Sequence, residues 1–140
     1  MDFNSPKISR IIDDWIEEDI GKGDLTSSAI TKKTGKANWI AKEEGIFCGV
    51  GIIQTIFKKI NKKIECKLLI NDGEKFSKDQ KLLELYGPTR SLLASERISL
   101  NIAMHLSGIS THTKNIVDFL KGTNINLADT RKTTPGLRIF

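Results

Sequence analysis

Apolar residues spaced three and four positions apart predict two amphipathic helices in the first half of the chain. Ser5 followed by Pro6 is a favourable start for the first helix, because a capping hydroxyl precedes proline in the first turn. Gly21 and Gly23 are expected to end this helix. Its apolar face holds Ile8, Ile11, Ile12, Trp15 and Ile16. The second helix follows Gly49, and its apolar face holds Ile52, Ile53, Ile56, Phe57 and Ile60.

Alternating apolar positions predict the strands around the second helix. The clearest alternation runs from Ile64 to Ile70, and Asn71-Asp72-Gly73 directly after it is a strong turn signal. Shorter strands are expected at residues 37–41, 45–48 and 81–86. This order of elements favours an α+β sandwich with a largely antiparallel sheet.

A long helix is expected from about Thr89, with an interruption at Gly108 after which the helical pattern resumes. A last strand is expected at Ile125–Ala128, where apolar positions alternate again. These two elements look like the opening of an α/β unit. We therefore predict two domains, with residues 1–108 as an N-terminal α/β sandwich and residues 109–140 as the start of a second α/β domain.

One arginine disturbs the pattern of the long helix. An advance of about 100° per residue puts Arg97 on the same face as Leu93, Leu100 and Met104. A cation in an apolar stripe either extends to the edge of the stripe or is held by an anion or a partner chain. The pattern leaves both interpretations open.

The charge of the chain favours anionic partners. The net charge is +5 over 140 residues, and the acidic residues concentrate before residue 25. Aromatic residues make up only 6%, and no basic helix carries stacking rings, which disfavours nucleic acid. No apolar run reaches the roughly 18 residues of a membrane span, and the N-terminus lacks the pattern of a secretory signal. Cys48 and Cys66 are expected to be reduced thiols of a cytoplasmic protein and not metal ligands.

The densest cluster of candidate chemistry lies between residues 129 and 138. Arg131 can bind a carboxylate or phosphate through two parallel hydrogen bonds, and Lys132 adds a mobile positive charge. Three threonines and a Pro135-Gly136 turn accompany these cations. Such a cluster after a strand suits an anionic ligand, because α/β folds bind ligands at the C-terminal ends of their strands. A solvated basic tail is the alternative interpretation.

Five segments in a fixed order give the chain its similarity to one family. They are Gly23-Asp24-Leu25-Thr26-Ser27, Ala41-Lys42-Glu43-Glu44-Gly45-Ile46, Glu96-Arg97-Ile98-Ser99-Leu100-Asn101, Ser107-Gly108-Ile109-Ser110-Thr111 and Asp129-Thr130-Arg131-Lys132-Thr133-Thr134-Pro135-Gly136-Leu137-Arg138. Together they resemble the N-terminal half of quinolinate phosphoribosyltransferase, also called carboxylating nicotinate-nucleotide pyrophosphorylase. The last segment is the most specific of the five.

The resemblance implies a fold and a reaction. The fold is a hammerhead-type α/β sandwich followed by an α/β barrel, of which this chain would hold the first helix and strand. The reaction belongs to de novo NAD biosynthesis and is carried out by a pentosyltransferase. Quinolinate and phosphoribosyl pyrophosphate yield nicotinate mononucleotide, pyrophosphate and CO2, with Mg²⁺ held by residues later in the family's sequence.

Residue roles follow from the resemblance motif by motif. Arg131 and Lys132 would bind the carboxylates of quinolinate with Thr130 beside them, and Arg138 is a further possible substrate ligand. Arg97 would reach into the active site of the other subunit of a homodimer. The resemblance assigns no catalytic residue within these 140 positions.

The family's sequence continues well beyond this span, so the 140-residue chain is expected to be inactive alone. Two other functions stay open. One is a related phosphoribosyltransferase-like protein that uses another acceptor, such as a molybdenum-utilisation paralogue. The other is a non-catalytic dimerisation or interaction fragment.

Overall fold

A computed structural model describes residues 3, 5–21 and 33–139 of the protein. The helices and strands in this part are α1 Pro6–Ile20, β1 Thr34–Ile40, β2 Gly45–Ile46, α2 Val50–Ile60, β3 Glu65–Leu68, β4 Lys75–Phe76, β5 Lys81–Pro88 and α3 Thr89–Phe119. Strands β1, β5 and β3 form one antiparallel sheet in that order, and β2 pairs antiparallel with β4. The predicted α+β sandwich with antiparallel pairing is confirmed.

Helix α1 begins where the sequence predicts. Ser5 is the N-cap, and its Oγ accepts a hydrogen bond from the backbone N–H of Ile8 at 3.4 Å. Pro6 occupies the first helical position, where its missing N–H costs nothing. The helix ends at Ile20 with Gly21 as its C-cap. The second predicted stop, Gly23, lies outside the described residues.

Helix α2 is buried on two sides, so it forms the middle layer of the molecule. Ile53 and Phe57 belong to the core cluster that covers the sheet, where the Phe57 ring meets Trp39 edge-on at a centroid distance of 6.2 Å. Ile52 and Ile56 belong to a second cluster, which we call the isoleucine cluster. Its other buried members come from α1 and α3 and are Ile8, Ile12 and Ile98.

The start of α2 is capped by a residue from a distant turn. Gly49 is the N-cap with a φ of 125° and has no side chain to accept a hydrogen bond. Asp72 Oδ1 instead accepts from the backbone N–H groups of Gly49 at 2.7 Å and Val50 at 3.0 Å. The negative carboxylate also lies at the positive end of the helix dipole. The turn predicted at residues 71–73 therefore also fixes the beginning of α2.

Helix α3 is continuous from Thr89 to Phe119, so the predicted interruption at Gly108 is wrong. Glycine in a helix interior costs about 1 kcal/mol relative to alanine, which weakens a helix without ending it. The division of the chain into domains at residues 108 and 109 stays a prediction.

The buried face of α3 differs from the predicted apolar stripe. Met104, a member of that stripe, is 62% exposed, and Arg97 is exposed as well. The buried positions are Leu92, Ser95, Ile98, Ser99, Ala103 and Ser107. The hydroxyls of Ser95 and Ser99 donate to backbone carbonyls four residues earlier, at 2.8 and 2.6 Å, so these small side chains are buried with their polar atoms bonded. Hydrophobicity alone therefore identifies Leu92, Ile98 and Ala103 on the buried face of α3 but not its three serines.

The predicted last strand at Ile125–Ala128 is also wrong within the described structure. A strand needs a neighbouring strand to bond its backbone groups, and none of the five described strands pairs with this segment. Ile125 and Leu127 are 62% and 46% exposed. The part expected to open a barrel thus consists of the C-terminal portion of α3 and an irregular, exposed segment.

Candidate anion-binding site

The predicted anion-binding residues lie in an exposed segment at residues 129–138, which we call the cationic turn. Pro135 and Gly136 turn the chain, and Gly136 has a φ of 81°, a conformation that favours glycine. The carbonyl of Thr134 accepts a hydrogen bond from the N–H of Leu137 at 3.0 Å and closes the turn. The segment therefore has internal hydrogen bonds that an unstructured basic tail would lack.

Thr130 shapes the backbone next to the two predicted ligand cations. Its Oγ1 accepts a hydrogen bond from the N–H of Lys132 at 3.2 Å, as in an ST-turn. Arg131 and Lys132 are exposed, and neither forms an ion pair with a carboxylate of residues 3, 5–21 or 33–139. With respect to this part of the chain, two adjacent positive charges are available to an anion.

Arg138 bonds back to the cationic turn. Its Nη2 donates to the backbone carbonyl of Arg131 at 2.5 Å, and its Nε donates to Thr133 Oγ1 at 3.4 Å. Both acceptors are uncharged, so these two contacts do not neutralise the positive charge of the guanidinium. The structure thus gathers Thr130, Arg131, Lys132 and Arg138 in one turn.

The end of the cationic turn faces helix α1 across a cavity of about 410 Å³. The residues that line this cavity are Lys7, Ile11, Asp14, Trp15, Gly136, Arg138 and Ile139. Ile139, directly after the turn, packs against the isoleucine cluster. The end of the cationic turn is therefore attached to the apolar core of the sandwich.

The ion pair of Arg97 is formed with helix α1 and not with a residue of the cationic turn. Its Nη1 lies 2.9 Å from Asp19 Oδ1 in the last turn of α1, and the two side chains are 60% and 21% exposed. The guanidinium is therefore at the protein surface, next to a carboxylate of its own chain. In the sequence Arg97 belongs to an apolar stripe, but in the structure its guanidinium is exposed and lies next to the carboxylate of Asp19.

Sequence reasoning missed Asp19 because no local spacing rule joins residues 78 positions apart. A second ion pair, between Asp13 and Lys59 at 2.7 Å, also joins α1 to the rest of the chain. The uneven distribution of charge, acidic before residue 25 and basic after it, is the one sequence signal for these pairs. It indicates attraction between the two parts without identifying the partners.

Gly45, in the second of the five segments that resemble the family, is required by packing. The N–H of Ile46 donates to Thr111 Oγ1 at 2.8 Å, which holds β2 against α3. A Cβ on Gly45 would lie 2.7 Å from Thr111 Oγ1 and 2.9 Å from a ring carbon of Phe76. Gly45 therefore lets the edge of the small sheet approach α3, whereas residues 42–44 before it are exposed.

Three ionisable groups with shifted pKa values show how local contacts act elsewhere in the chain. Burial raises the pKa of the Cys66 thiol to about 11. Hydrogen bonds from Lys114 and Lys121 lower the pKa of Asp118 to about 2. A hydrogen bond from Lys81 is the main cause of the lowered pKa of Glu84. These three groups are explained by burial or by neighbouring lysines.

The donor set for a metal ion is absent from the described ranges. No three His, Cys, Asp or Glu side chains among residues 3, 5–21 and 33–139 come together as a possible metal site. In the same part of the chain, no helix combines the length and apolar character needed to cross a bilayer.

Comparison with known proteins connects this geometry to one family. The family model described as "Quinolinate phosphoribosyl transferase, N-terminal domain" matches residues 24–107, and that of the C-terminal domain matches residues 109–140. A Bacillus subtilis protein named "Probable nicotinate-nucleotide pyrophosphorylase [carboxylating]" is 40% identical over 139 residues, which cover 99% of this chain and 48% of that protein. A Methanocaldococcus jannaschii protein with the same name is 42% identical over 130 residues, covering 90% and 44%.

Solved structures show similarity to the same family. The nicotinate-nucleotide pyrophosphorylase of Francisella tularensis superposes with a TM-score of 0.91 at 33% identity, covering 97% of this chain and 49% of that one. NadC from Streptococcus pyogenes gives a TM-score of 0.90 at 33% identity, covering 96% and 49%. The chain spans about half the length of the relatives it matches.

Proposed function

Because the chain belongs to the quinolinate phosphoribosyl transferase family, we propose that it forms the N-terminal, substrate-binding part of a quinolinate phosphoribosyltransferase. The proposed reaction joins quinolinate to the ribose phosphate of phosphoribosyl pyrophosphate and releases pyrophosphate and CO2. Since the chain spans about half the length of its relatives, the proposal includes that these 140 residues need a further α/β portion for turnover.

One observation carries the proposal: two adjacent, exposed cations in an internally bonded turn. Quinolinate has two neighbouring carboxylates, so it presents two negative charges on one edge of a planar ring. Arg131 suits one carboxylate through paired N–H donors, and Lys132 suits the other as a point charge. Thr130 orders the backbone between them through its hydrogen bond to Lys132.

The same charges serve the chemistry that follows binding. When CO2 leaves, negative charge develops on the ring carbon that held the carboxylate. Positive side chains fixed beside that position stabilise the developing charge, and they do so more strongly where water is excluded. In this proposal Arg131 and Lys132 bind and orient the ring, and the positive potential around them lowers the energy of the charged state.

Magnesium belongs to the proposal through the chemistry of the pyrophosphate leaving group, which a divalent cation neutralises when bound. The described residues lack a cluster of metal-binding side chains, so we assign no metal ligand and no metal-dependent step to them.

Arg97 is proposed to act on a partner subunit within a homodimer. Its exposed position supports this role, because a guanidinium at the surface can reach a site on a neighbouring chain. Asp19 holds it at that position, at the junction of α1 and α3. A cytoplasmic location is also part of the proposal, and the two free cysteines suit a reducing compartment.

The proposal is tested with a hybrid protein in which residues 1–140 replace the corresponding half of the Bacillus subtilis relative. The hybrid is expected to convert quinolinate and phosphoribosyl pyrophosphate into nicotinate mononucleotide. Arg131→Ala and Lys132→Ala should each raise the KM for quinolinate by about 10- to 100-fold, because each removes a charge-assisted hydrogen bond. Arg10→Ala, which removes an exposed arginine from α1, is the matched control.

Three outcomes decide the matter. Unchanged quinolinate binding after loss of both cations contradicts the assigned site. A folded hybrid that transfers phosphoribosyl groups only to another acceptor favours the paralogue. A folded dimer that binds no substrate favours a non-catalytic interaction fragment.

The shared active site has its own test. Equal amounts of Arg97→Ala and Arg131→Ala hybrids are unfolded, mixed and refolded. If Arg97 acts across the dimer, about one quarter of the activity should return, because half of the random dimers are mixed and each holds one intact site. No recovery means that Arg97 acts within its own subunit or not at all.

A further inference from the structure

We propose that Arg138 is a positioning residue that fixes the backbone of the cationic turn. This inference deepens the proposed function, on which the role of the turn as a carboxylate site rests. It assigns a different task to a residue whose sequence motif suggested substrate binding.

The two hydrogen bonds of Arg138 flank Lys132. One goes to the carbonyl of Arg131, and the other goes to the hydroxyl of Thr133, the residues on either side of that lysine. The donors are Nη2 and Nε of one planar guanidinium, so their separation is fixed by covalent geometry. Arg138 therefore sets the distance between the backbone before Lys132 and the side chain after it.

The position of Arg138 is itself fixed from the core. Ile139, its neighbour, packs against the isoleucine cluster, which joins all three described helices. The bond between Thr134 and Leu137 and the positive φ of Gly136 return the chain toward Arg131. A continuous series of contacts thus runs from the core through residues 139 and 138 to the carbonyl of Arg131.

A role as ligand fits these contacts less well. To bind a carboxylate side-on through Nε and Nη2, Arg138 would have to break both bonds that close the turn; keeping them leaves only Nη1 and the second N–H of Nη2 to face an anion. Within the described residues, the side chains of Arg131 and Lys132 donate no hydrogen bond that closes the turn. Their side chains can turn to an anion while the backbone stays in place. The division of tasks follows: residues 131 and 132 bind, and residue 138 positions them.

The test uses the 140-residue chain itself and needs no substrate. Backbone ¹⁵N relaxation is measured for the wild type, Arg138→Ala, Arg138→Lys and the control Arg10→Ala. The amides of residues 130–134 are expected to have order parameters near the rigid value of about 0.85 in the wild type and in the control. In both Arg138 variants they should fall below about 0.6, while the helices and sheets are unaffected.

Arg138→Lys separates geometry from charge. Lysine keeps the positive charge but carries its donors on a single nitrogen, so it does not reproduce the two donor atoms that the planar guanidinium holds at a fixed spacing. Equal loss of order in the lysine and alanine variants supports the proposal. A lysine variant as ordered as the wild type overturns it, as does a turn that is mobile in the wild type or equally ordered in the alanine variant.

A second variant checks the anchor. Ile139→Ala leaves Arg138 in place but removes its packing on the isoleucine cluster, so it should also loosen residues 130–134. Unchanged order in this variant would overturn the claim that the turn is held from the core.

The hybrid enzyme connects positioning to function. There, Arg138→Ala and Arg138→Lys should raise the KM for quinolinate by about tenfold each, because small displacements of binding groups have effects up to about 100-fold. Rescue by lysine would overturn the positioning role. A hybrid that never binds quinolinate refutes the proposed function alone, since the relaxation measurement involves no substrate.

Discussion

Replacing Asp72 with alanine tests how much of the fold depends on a contact that crosses the chain. The variant removes both hydrogen bonds at the start of α2, which are 2.7 and 3.0 Å long. It also removes a negative charge from the positive end of the helix dipole. Gly49 offers no side chain as a replacement, so the two N–H groups would have to be satisfied by water.

The expected loss follows from these contacts. Removal of an N-cap side chain costs about 1 kcal/mol on average and up to about 2 kcal/mol in proteins. Two short bonds to a charged acceptor put Asp72 at the upper end, although its exposure limits the electrostatic part. We expect Asp72→Ala to lower the free energy of unfolding by about 2 kcal/mol. At this chain length that corresponds to a decrease in Tm of about 8 °C.

Urea denaturation followed by circular dichroism measures this effect. Asp72→Asn keeps an acceptor oxygen but loses the charge, so it should cost about half as much as alanine. Glu43→Ala, which removes an exposed carboxylate, should change stability by less than about 0.5 kcal/mol. If Asp72→Ala is as stable as Glu43→Ala, the long-range cap contributes nothing and the reasoning is refuted.

Three further predictions concern packing and ionisation. Gly45→Ala should destabilise the chain by about 1–3 kcal/mol in urea denaturation, because the new methyl group collides with the neighbours of β2; Gly108→Ala, where nothing lies within 4 Å, should instead stabilise it. The thiol of Cys66, with its pKa raised to about 11, should react with iodoacetamide at pH 8.5 about 100-fold more slowly than in the unfolded chain, and equal rates would contradict its burial. The pKa of Asp118 is lowered to about 2 from its ordinary 3.8, so its stabilising contribution is complete above about pH 4 and is lost as the pH falls to about 2. In Asp118→Asn the NMR signals of the last turns of α3 should lose their dependence on pH in that window.

Local rules predicted most elements of the fold because those elements depend on local causes. The cap at Ser5, the alternation in β3 and the turn at residues 71–73 each follow from neighbouring residues. The buried face of α3 does not, because serines that bond to their own helix can be buried like alanine. The predicted strand at Ile125–Ala128 shows the opposite error, since alternation alone does not supply a partner strand.

In the candidate site, too, some features follow from neighbouring residues and others depend on three-dimensional contacts. The cluster around Arg131 could be found in the sequence because its members are contiguous. The hydrogen bonds of Arg138 to residues 131 and 133 could not, since the same motif is compatible with a guanidinium that faces a ligand or one that faces the backbone. The pairing of Arg97 with Asp19 depends on how α1 lies against α3, which only tertiary packing decides.

The unbroken course of α3 has a mechanical consequence. The 31 residues of α3 span about 46 Å, and the helix continues through position 108 without interruption. A change in the angle between α3 and the segment that carries the cationic turn would therefore arise after Phe119, in the irregular residues that include Gly122 with its φ of 83°. Shortening or stiffening the residues around Gly122 would couple a tilt of α3 directly to the positions of Arg131 and Lys132. A break in the helix at position 108 would have uncoupled the two.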